Sequence, residues 1–296
     1  MTVSQPKGVD GRGAVTVAKY HGLGNDFLVM LDPASLPDAA FARRLCDRHR
    51  GIGADGLIVG RSAAGHDGAR LSFQLFNADG SEAEMSGNGM RCLAHAALDA
   101  GMVAVGEGFG VVTPAGWRTV VVQRVLSGAA GPEAWVRVDM GTVKVHGEDD
   151  RCNVGHGQLL VDVGNPHLVV AGGDPRDVDV AVLGPRLEAT DPGGLNVEFV
   201  ALGPGPDEVT MRVWERGVGE TEACGTGATA AAVAFHHWGR VATAVTVHQP
   251  GGPVLVEIAA DESVCLSGPS VLVAVCRVPI VTSGAGAGWA AAGDGR

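Results

Sequence analysis

Apolar and polar residues alternate with a period of two over many short stretches of the chain, which is typical of β-strands with one buried face. Three longer segments, residues 41–49, 88–100 and about 225–238, instead favour helices. The strands are predicted at residues 14–19, 27–30, 71–76, 120–125, 135–140, 159–163, 196–201 and 208–213, and in a closing series that ends at about Val281. The pattern therefore indicates a mixed fold in which strands outnumber helices.

A short segment occurs twice along the chain. Residues 82–89, EAEMSGNG, correspond to residues 220–227, ETEACGTG, and each copy follows a predicted strand and opens an Ala-rich helix. This shared context favours an internal duplication. We predict an N-terminal lobe over residues 14–132, completed by a last strand at about 271–282, a C-terminal lobe over residues 133–270, and flexible tails at 1–13 and 283–296.

Composition narrows the function classes. The formal net charge is −11 and the basic residues are scattered, which argues against a nucleic-acid partner. No apolar run is as long as a membrane span, and residues 1–13 lack the apolar core of a signal peptide. Six cysteines without a C-x-x-C pair argue against a disulfide scaffold and a zinc site, so a cytoplasmic protein is expected. Glycine-rich segments at 51–56 and 225–230 lack the apolar strand that precedes a dinucleotide site.

Each repeated turn places a proton-carrying side chain at the start of a helix, Ser86 in the first copy and Cys224 in the second. A helix N-terminus offers N–H groups and a partial positive charge, which bind a small anion such as an α-carboxylate and lower the pKa of a thiol. Direct inversion of a stereocentre needs a base on one face and a proton donor on the other. The alternative is that both turns are only helix caps, because serine is a favoured N-cap residue and buried cysteine is often inert.

An ordered set of motifs resembles the diaminopimelate epimerase family over nearly all of residues 14–281. The motifs are KYHGLGNDF at 19–27, GIGADG at 51–56, NADGS at 77–81, GNG at 87–89, GNPH at 164–167, NVEF at 196–199, ERG at 215–217 and ACGTG at 223–227. The resemblance implies an α+β fold of two similar lobes, each a curled, mostly antiparallel sheet around a central helix, with the active site in the cleft. It also implies cofactor-independent epimerisation of LL-diaminopimelate to the meso form in lysine and peptidoglycan biosynthesis.

The resemblance also implies roles for individual residues. Cys224 matches one of the family's two catalytic cysteines, and His167 and Glu215 match the pair that tunes them. The substrate α-carboxylate is expected at the backbone amides of Gly87, Asn88, Gly225 and Thr226, and the other polar groups of the substrate at Asn25, Asn77, Asn165, Asn196 and Arg216. No metal and no other cofactor is expected. Taken alone, Asn77 and Asn165 could each simply form a turn, and His167 could be a satisfied core histidine.

Ser86 stands where the family carries its first catalytic cysteine. A serine hydroxyl is a weaker acid and base than a thiol and needs an activating partner. Cys92 lies six residues further along the predicted helix, roughly 9 Å away and on a different face, so it is a poor substitute. The open explanations are a serine/cysteine epimerase, a racemase of another amino acid, a lyase or isomerase with Cys224 as the only base, an inactive amino-acid-binding homologue, and a deliberately introduced serine.

The expected partner is a small amino acid that carries a distal polar or charged group. The resemblance leaves open whether the chain forms a homodimer.

Overall fold

A computed structural model describes residues 13–63, 69–128, 131–148 and 157–279. The chain divides into two compact units. Unit 1 takes its described residues from Met1–Gly22, Asp26–Val136 and Ser270–Arg296, and unit 2 takes them from Leu23–Asn25 and Arg137–Pro269. Apart from Gly13, the predicted tails at 1–13 and 283–296 lie outside the described residues.

Unit 1 is a sheet with two helices. Its elements are β1 (Ala14–Gly22), β2 (Asn25–Leu31), α1 (Ala39–Cys46), β3 (Gly56–Ser62), β4 (Ala69–Asn77), β5 (Glu82–Ala83), α2 (Gly87–Asp99), β6 (Gly108–Thr113), β7 (Gly116–Gly128) and the start of β8 (Gly131–Thr142). Strand β2 runs parallel to β3, which is antiparallel to β4. Strand β4 pairs antiparallel with β5 and parallel with β6, and β6 is antiparallel to β7.

Unit 2 repeats this order of elements. It contains β9 (Lys144–Glu148), β10 (Gly157–Asp162), β11 (Pro166–Ala171), a 3-10 turn (Pro175–Asp177), α3 (Val180–Glu188), β12 (Asn196–Leu202), β13 (Glu208–Glu215), β14 (Gly219–Thr221), α4 (Gly225–His237), β15 (Ala244–Gln249), β16 (Gly252–Ile258) and the start of β17 (Ser263–Pro279). Strand β11 is parallel to β12, β12 is antiparallel to β13, β13 is antiparallel to β14 and parallel to β15, and β15 is antiparallel to β16. The predicted fold of two duplicated, mostly antiparallel halves is confirmed.

The second helix of each half is its centre. Helix α4 contacts strands β10, β11, β12, β13, β15 and β16, and all but its ends are buried. Helix α2 contacts β1, β3, β4 and β7 and is buried from Gly87 to Ala97. A helix that is apolar nearly all round needs neighbours on every side, which the curled sheet provides. Within the described residues, no helix is long and apolar enough to cross a membrane.

Two helices differ from the prediction. Helix α1 ends at Cys46 rather than at residue 49, because the Asp47 side chain accepts the backbone N–H groups of His49 and Arg50 and turns the chain. Helix α3 was not predicted, because Gly184 and Pro185 interrupt its apolar pattern. Its N-terminus is nevertheless capped by the Asp179 side chain, which accepts the N–H of Val182.

Candidate active site

The two repeated turns cap their helices in the same way. Ser86 has φ −143° and ψ 122°, and its Oγ accepts the backbone N–H of Gly89 at 3.0 Å. Cys224 has φ −128° and ψ 120°, and its Sγ accepts the backbone N–H of Gly227 at 3.4 Å. Both are N-cap residues with extended backbones. The repeat therefore encodes a local structure as well as a sequence similarity.

Cys224 is held by several polar groups of unit 2. Its backbone N–H donates to Oε1 of Gln249 at 2.8 Å, and its Sγ lies 3.4 Å from the Oγ1 of Thr226. The residue is only 5% exposed. A thiol in this position can exchange a proton only with groups that reach the enclosed sulfur.

The structure contradicts the prediction of a thiol with a lowered pKa. Burial raises the pKa of Cys224 well above its ordinary value, and the negative charges of Glu215 and Glu198 raise it further. Hydrogen bonds from Thr226 and the N–H of Gly227 oppose this shift but do not outweigh it. Desolvation and like charges disfavour a thiolate more strongly than the helix start favours it. The surroundings of Cys224 therefore favour the thiol over the thiolate.

Glu215, predicted to tune the cysteine, lies beside it. Burial raises the pKa of this carboxyl, while hydrogen bonds from Thr221 and from the Cys224 thiol lower it. The hydroxyl of Thr221 donates to Oε1. The Cys224 thiol thus influences the pKa of Glu215, and the negative charge of Glu215 influences that of the thiol, so the two groups are electrostatic neighbours.

His167 is fully buried and bonded at both ring nitrogens. Its Nδ1 lies 2.7 Å from Oε1 of Glu198, and its Nε2 lies 3.0 Å from Oδ1 of Asn165. A carboxylate oxygen only accepts, so Nδ1 carries a proton. Oδ1 of Asn165 also only accepts, so the second bond forms either with a proton on Nε2 or with the Asn165 amide turned to present its NH₂ group. Because both ring nitrogens have polar partners, His167 fits the alternative of a core histidine. Its partner Glu198 is also one of the acids whose charge acts on the Cys224 thiol.

Asn196 and Arg216, both predicted to bind substrate, are linked to each other. The Asn196 side chain donates to the carbonyl of Pro166 and accepts the backbone N–H of Arg216, each at 3.0 Å. One of its amide N–H groups is left for a ligand. The exposed guanidinium of Arg216 donates to the carbonyls of Gly193 and Gly194 at 3.2 and 3.4 Å.

The other predicted asparagines lie in different surroundings. Asn77 is exposed and donates to Oγ of Ser81 at 3.0 Å within a turn, which fits the alternative that this asparagine simply forms a turn. Asn88 is buried in α2 and accepts from the guanidinium of Arg91 at 2.8 Å. Asn25 is half-buried and belongs to unit 2, the unit that contains Cys224.

The predicted carboxylate contacts begin the two central helices. Gly87 is the first residue of α2, and Gly225 and Thr226 are the first two residues of α4. N–H groups at these positions have no acceptor within their helix. Among the residues described, no group of three or more His, Cys, Asp or Glu side chains is placed to hold a metal ion.

Comparison with known proteins identifies the family. The sequence profile of diaminopimelate epimerase matches residues 17–146 and 159–273. The chain belongs to this family. A diaminopimelate epimerase from Desulforudis audaxviator is 43% identical over 281 residues, covering 85% of this chain and 95% of the relative. One from Heliobacterium modesticaldum is 40% identical over 285 residues, covering 88% and 99%.

Solved structures at lower identity share the fold of this diaminopimelate epimerase family member. A phenazine biosynthesis protein of the PhzF family from Bacillus anthracis superposes with a TM-score of 0.69 at 15% identity, covering 90% of this chain and 99% of the other. A hydroxyproline epimerase from Agrobacterium vitis gives 0.66 at 18% identity, covering 91% and 94%. This chain and both neighbours therefore share a mixed α and β fold with few helices.

The strand positions that carry ionisable residues near Cys224 in unit 2 carry apolar residues in unit 1. In β2 and β3, Phe27 pairs with Gly56 and Val29 with Ile58. The same register in β11 and β12 pairs His167 with Asn196 and Val169 with Glu198. Phe27 and Ile58 therefore occupy the positions of His167 and Glu198.

Two residues of the Cys224 site had no predicted role. Glu198 lies within the NVEF motif. Its role could have been inferred from a charged residue in a mainly apolar strand, because a buried charge requires a partner. Gln249 ends β15, and only the fold brings its amide to the backbone of Cys224.

Proposed function

We propose that this protein is a cofactor-independent amino-acid epimerase that converts LL-diaminopimelate to meso-diaminopimelate by two-base proton transfer. The observation that carries the proposal is the matched pair of helix starts in a member of the diaminopimelate epimerase family. Each start presents one proton-carrying side chain, Ser86 or Cys224, at the N-cap position. Epimerisation needs one such group for each face of the α-carbon.

The proton transfer follows from the state of Cys224. In one direction, Ser86 accepts the α-proton as an alkoxide and the Cys224 thiol donates its proton to the opposite face of the carbanion, which leaves Ser86 as the hydroxyl and Cys224 as the thiolate. The resulting thiolate is stabilised by the N–H of Gly227 and the hydroxyl of Thr226. In the reverse direction, the thiolate removes the α-proton, and Glu215 exchanges the proton with sulfur. The electrostatic coupling between Glu215 and Cys224 supports this role.

Substrate binding is assigned to the predicted polar groups. The α-carboxylate binds to the backbone N–H groups that open α2 and α4, because they combine unsatisfied donors with a positive dipole. The polar groups of the substrate that remain are assigned to the side chains of Asn25, Asn77, Asn165, Asn196 and Arg216. A guanidinium recognises a distal carboxylate through two parallel bonds, so Arg216 must leave the carbonyls that it now contacts.

The test is conversion of LL-diaminopimelate in deuterium oxide, followed by NMR. We expect the meso isomer to form and deuterium to enter the α-position. Alanine and leucine should turn over far more slowly, because polar groups left unpaired cost roughly 1–3 kcal/mol each. Rapid turnover of either would exclude the proposed substrate. Tight binding in calorimetry with no deuterium exchange would identify an inactive binding protein.

A second candidate function is supported by the surroundings of Ser86. Its half of the duplication carries Phe27 and Ile58 where the other half carries His167 and Glu198. A lyase or isomerase that uses only Cys224 as its base would need no proton carrier on the Ser86 side. Such an enzyme would give a new unsaturated product in the same NMR experiment, whereas an epimerase labels both substrate and product.

Assembly and location complete the proposal. We propose that the protein acts as a homodimer in the cytoplasm, with a small amino acid as its only substrate. Light scattering on the purified protein should give twice the mass of the 30.1 kDa chain. A monomeric mass with full activity would exclude the dimer without affecting the assignment of the reaction.

A further inference from the structure

His167 and Glu198 form an enclosed pair in unit 2. Neither side chain has any exposed surface, and their facing atoms are 2.7 Å apart. In the described part of the chain, the second carboxylate oxygen of Glu198 has no hydrogen-bond partner. Burying a carboxylate that is only partly bonded is unfavourable. An apolar residue, such as Ile58 at the equivalent position, avoids this cost.

Glu198 also borders the first turn of α4. A side-chain carbon built on Gly227 would lie 2.7 Å from Oε1 of Glu198 and 3.4 Å from Cβ of Cys224. The Glu198 carboxylate and Cβ of Cys224 therefore both lie close to the position that a side chain on Gly227 would occupy. In an enclosed site, a negative charge on the residue across from Cys224 opposes the formation of a thiolate.

We propose that Glu198 is a positioning residue of the Cys224 site, which orients His167 through Nδ1 and keeps Cys224 as a thiol in the free enzyme. With Nδ1–H directed at Glu198, Nε2 is the ring nitrogen that faces Asn165. Cys224 is then ready to donate a proton before it accepts one. The order of proton transfers rests on the proposed epimerase function, whereas the state of the free thiol does not.

The pH dependence of alkylation at Cys224 tests this role without substrate. Iodoacetamide is attacked by the thiolate sulfur, which displaces iodide, so the rate follows the ionised fraction. Mass spectrometry of the Cys224 peptide separates this reaction from that of Cys265 and Cys276. We expect slow reaction of the wild-type protein at pH 8 and a rate that still increases at pH 10. Glu198→Gln should react roughly tenfold faster at pH 8, which corresponds to one pKa unit.

A matched control is available in the same unit. Glu208 pairs with His248 at 2.9 Å, and the pair does not involve Cys224. Glu208→Gln removes a carboxylate from a Glu–His pair just as Glu198→Gln does. We expect its alkylation curve to match that of the wild-type protein.

A double variant guards against loss of folding in Glu198→Gln. His167→Phe with Glu198→Ile copies the residues of unit 1, and an apolar replacement of a buried ionic pair is often neutral for stability. Its curve should shift in the same direction as that of Glu198→Gln. The proposal is overturned if wild-type alkylation has already levelled off at pH 8, or if either folded variant keeps the wild-type curve. Failure to convert LL-diaminopimelate would instead overturn the proposed function alone.

Discussion

Ser86 and Cys224 begin their helices with nearly the same backbone angles, and each side chain accepts the N–H of the third residue of its helix. Their neighbours are quite different. The carbon that a side chain at Gly227 would add meets the carboxylate of Glu198, whereas the equivalent carbon at Gly89 meets the Cδ1 of Ile58 at 3.1 Å. The duplication therefore preserves the local structure of the helix start in both halves. The residues at two strand positions, Phe27 and Ile58 in unit 1 and His167 and Glu198 in unit 2, make the surroundings chemically different.

The thiol and the hydroxyl are consequently unequal proton carriers. Cys224 has Glu215 as an electrostatic neighbour, and Glu198, which is bonded to His167, adds a second negative charge near the thiol. Unit 1 carries Phe27 and Ile58 at the positions of His167 and Glu198, so these two positions supply no base for Ser86. The two halves therefore provide the same anion-binding helix start and different capacities for proton transfer.

Removal of the thiol should have the largest effect. Cys224→Ala should lower both deuterium exchange and inversion on the order of 10³-fold or more, because it removes the proton carrier of one face. The assay is NMR of LL-diaminopimelate in deuterium oxide. Cys265→Ala removes a half-buried thiol of β17 and should keep the wild-type rate. Full turnover by Cys224→Ala would mean that the chemistry does not depend on this helix start.

Replacement of the hydroxyl should have a smaller effect in the opposite direction. The helix dipole stabilises an alkoxide by only about 0.3–2 kcal/mol, so the Ser86 side should limit inversion. In the wild-type protein, exchange at Cys224 should be faster than net inversion. Ser86→Cys should raise inversion on the order of tenfold and exchange much less.

The contrary result for Ser86 would be equally informative. If Ser86→Cys left inversion unchanged or abolished it, Ser86 would not act as a weakened cysteine. The single-base lyase or isomerase would then become the better interpretation. Ser86→Ala is the matching control, because an epimerase should lose inversion while exchange at Cys224 continues.

The fold was largely predictable because its signals are local. Period-two alternation identified most of the strands, and the repeated glycine-rich turns located the starts of α2 and α4, since a cap depends on a few adjacent residues. Helix α3 escaped because Pro185 lies inside it and its stability comes from packing against β12, β13 and β14. Local propensity cannot report that packing.

The state of the active-site thiol was not predictable from local rules. A cysteine at a helix start favours the thiolate, and the sequence shows only that contribution. Burial and the negative charges of Glu198 and Glu215 have the opposite effect, because they raise the pKa of the thiol. The pairing of β11, β12 and β13 brings these two acids to Cys224. The family resemblance supplied Glu215, whereas the role of Glu198 required the fold.

Asp26 in unit 1 and Glu215 in unit 2 should change the stability of the protein in opposite directions as the pH changes. Burial alone would raise the pKa of Asp26 in unit 1, but bonds from Arg48 and Lys19 lower it below its ordinary value of 3.8. Its stabilisation is therefore present above that value and lost as the pH falls through the folded pKa. Burial raises the pKa of Glu215 in unit 2, so its cost grows as the pH rises from 4.5 through the folded pKa.

Urea unfolding can measure this contrast. Asp26→Asn should lower the free energy of unfolding by about 1–3 kcal/mol at pH 7, because Lys19 and the partly exposed Arg48 each lose one carboxylate partner, and the loss should shrink toward pH 3. Glu215→Gln should be at least as stable as the wild-type protein at pH 7, and its advantage should disappear below pH 4.5. If both variants showed the same pH dependence of unfolding, the opposite pKa shifts assigned to Asp26 and Glu215 would be wrong.

The smallest effect comes from one methyl group placed in each helix start. At Gly227 the new carbon would lie 2.7 Å from Oε1 of Glu198, so the carboxylate must move and weaken its bond to His167. At Gly89 it would lie 3.1 Å from the end of the flexible Ile58 side chain, which can give way. We expect Gly227→Ala to cost about 1–3 kcal/mol of stability and Gly89→Ala less than about 1 kcal/mol, since alanine is also the better helix former.

The same pair of variants should differ in the reactivity of the thiol. A displaced Glu198 changes the charge beside Cys224, so Gly227→Ala should shift the pH dependence of Cys224 alkylation, and Gly89→Ala should leave it unchanged. Thermal unfolding and site-resolved alkylation measure the two effects on the same samples. Equal responses to the two substitutions would show that the Glu198 contact does not distinguish the two helix starts. The difference between Ser86 and Cys224 would then reside in the side chains themselves.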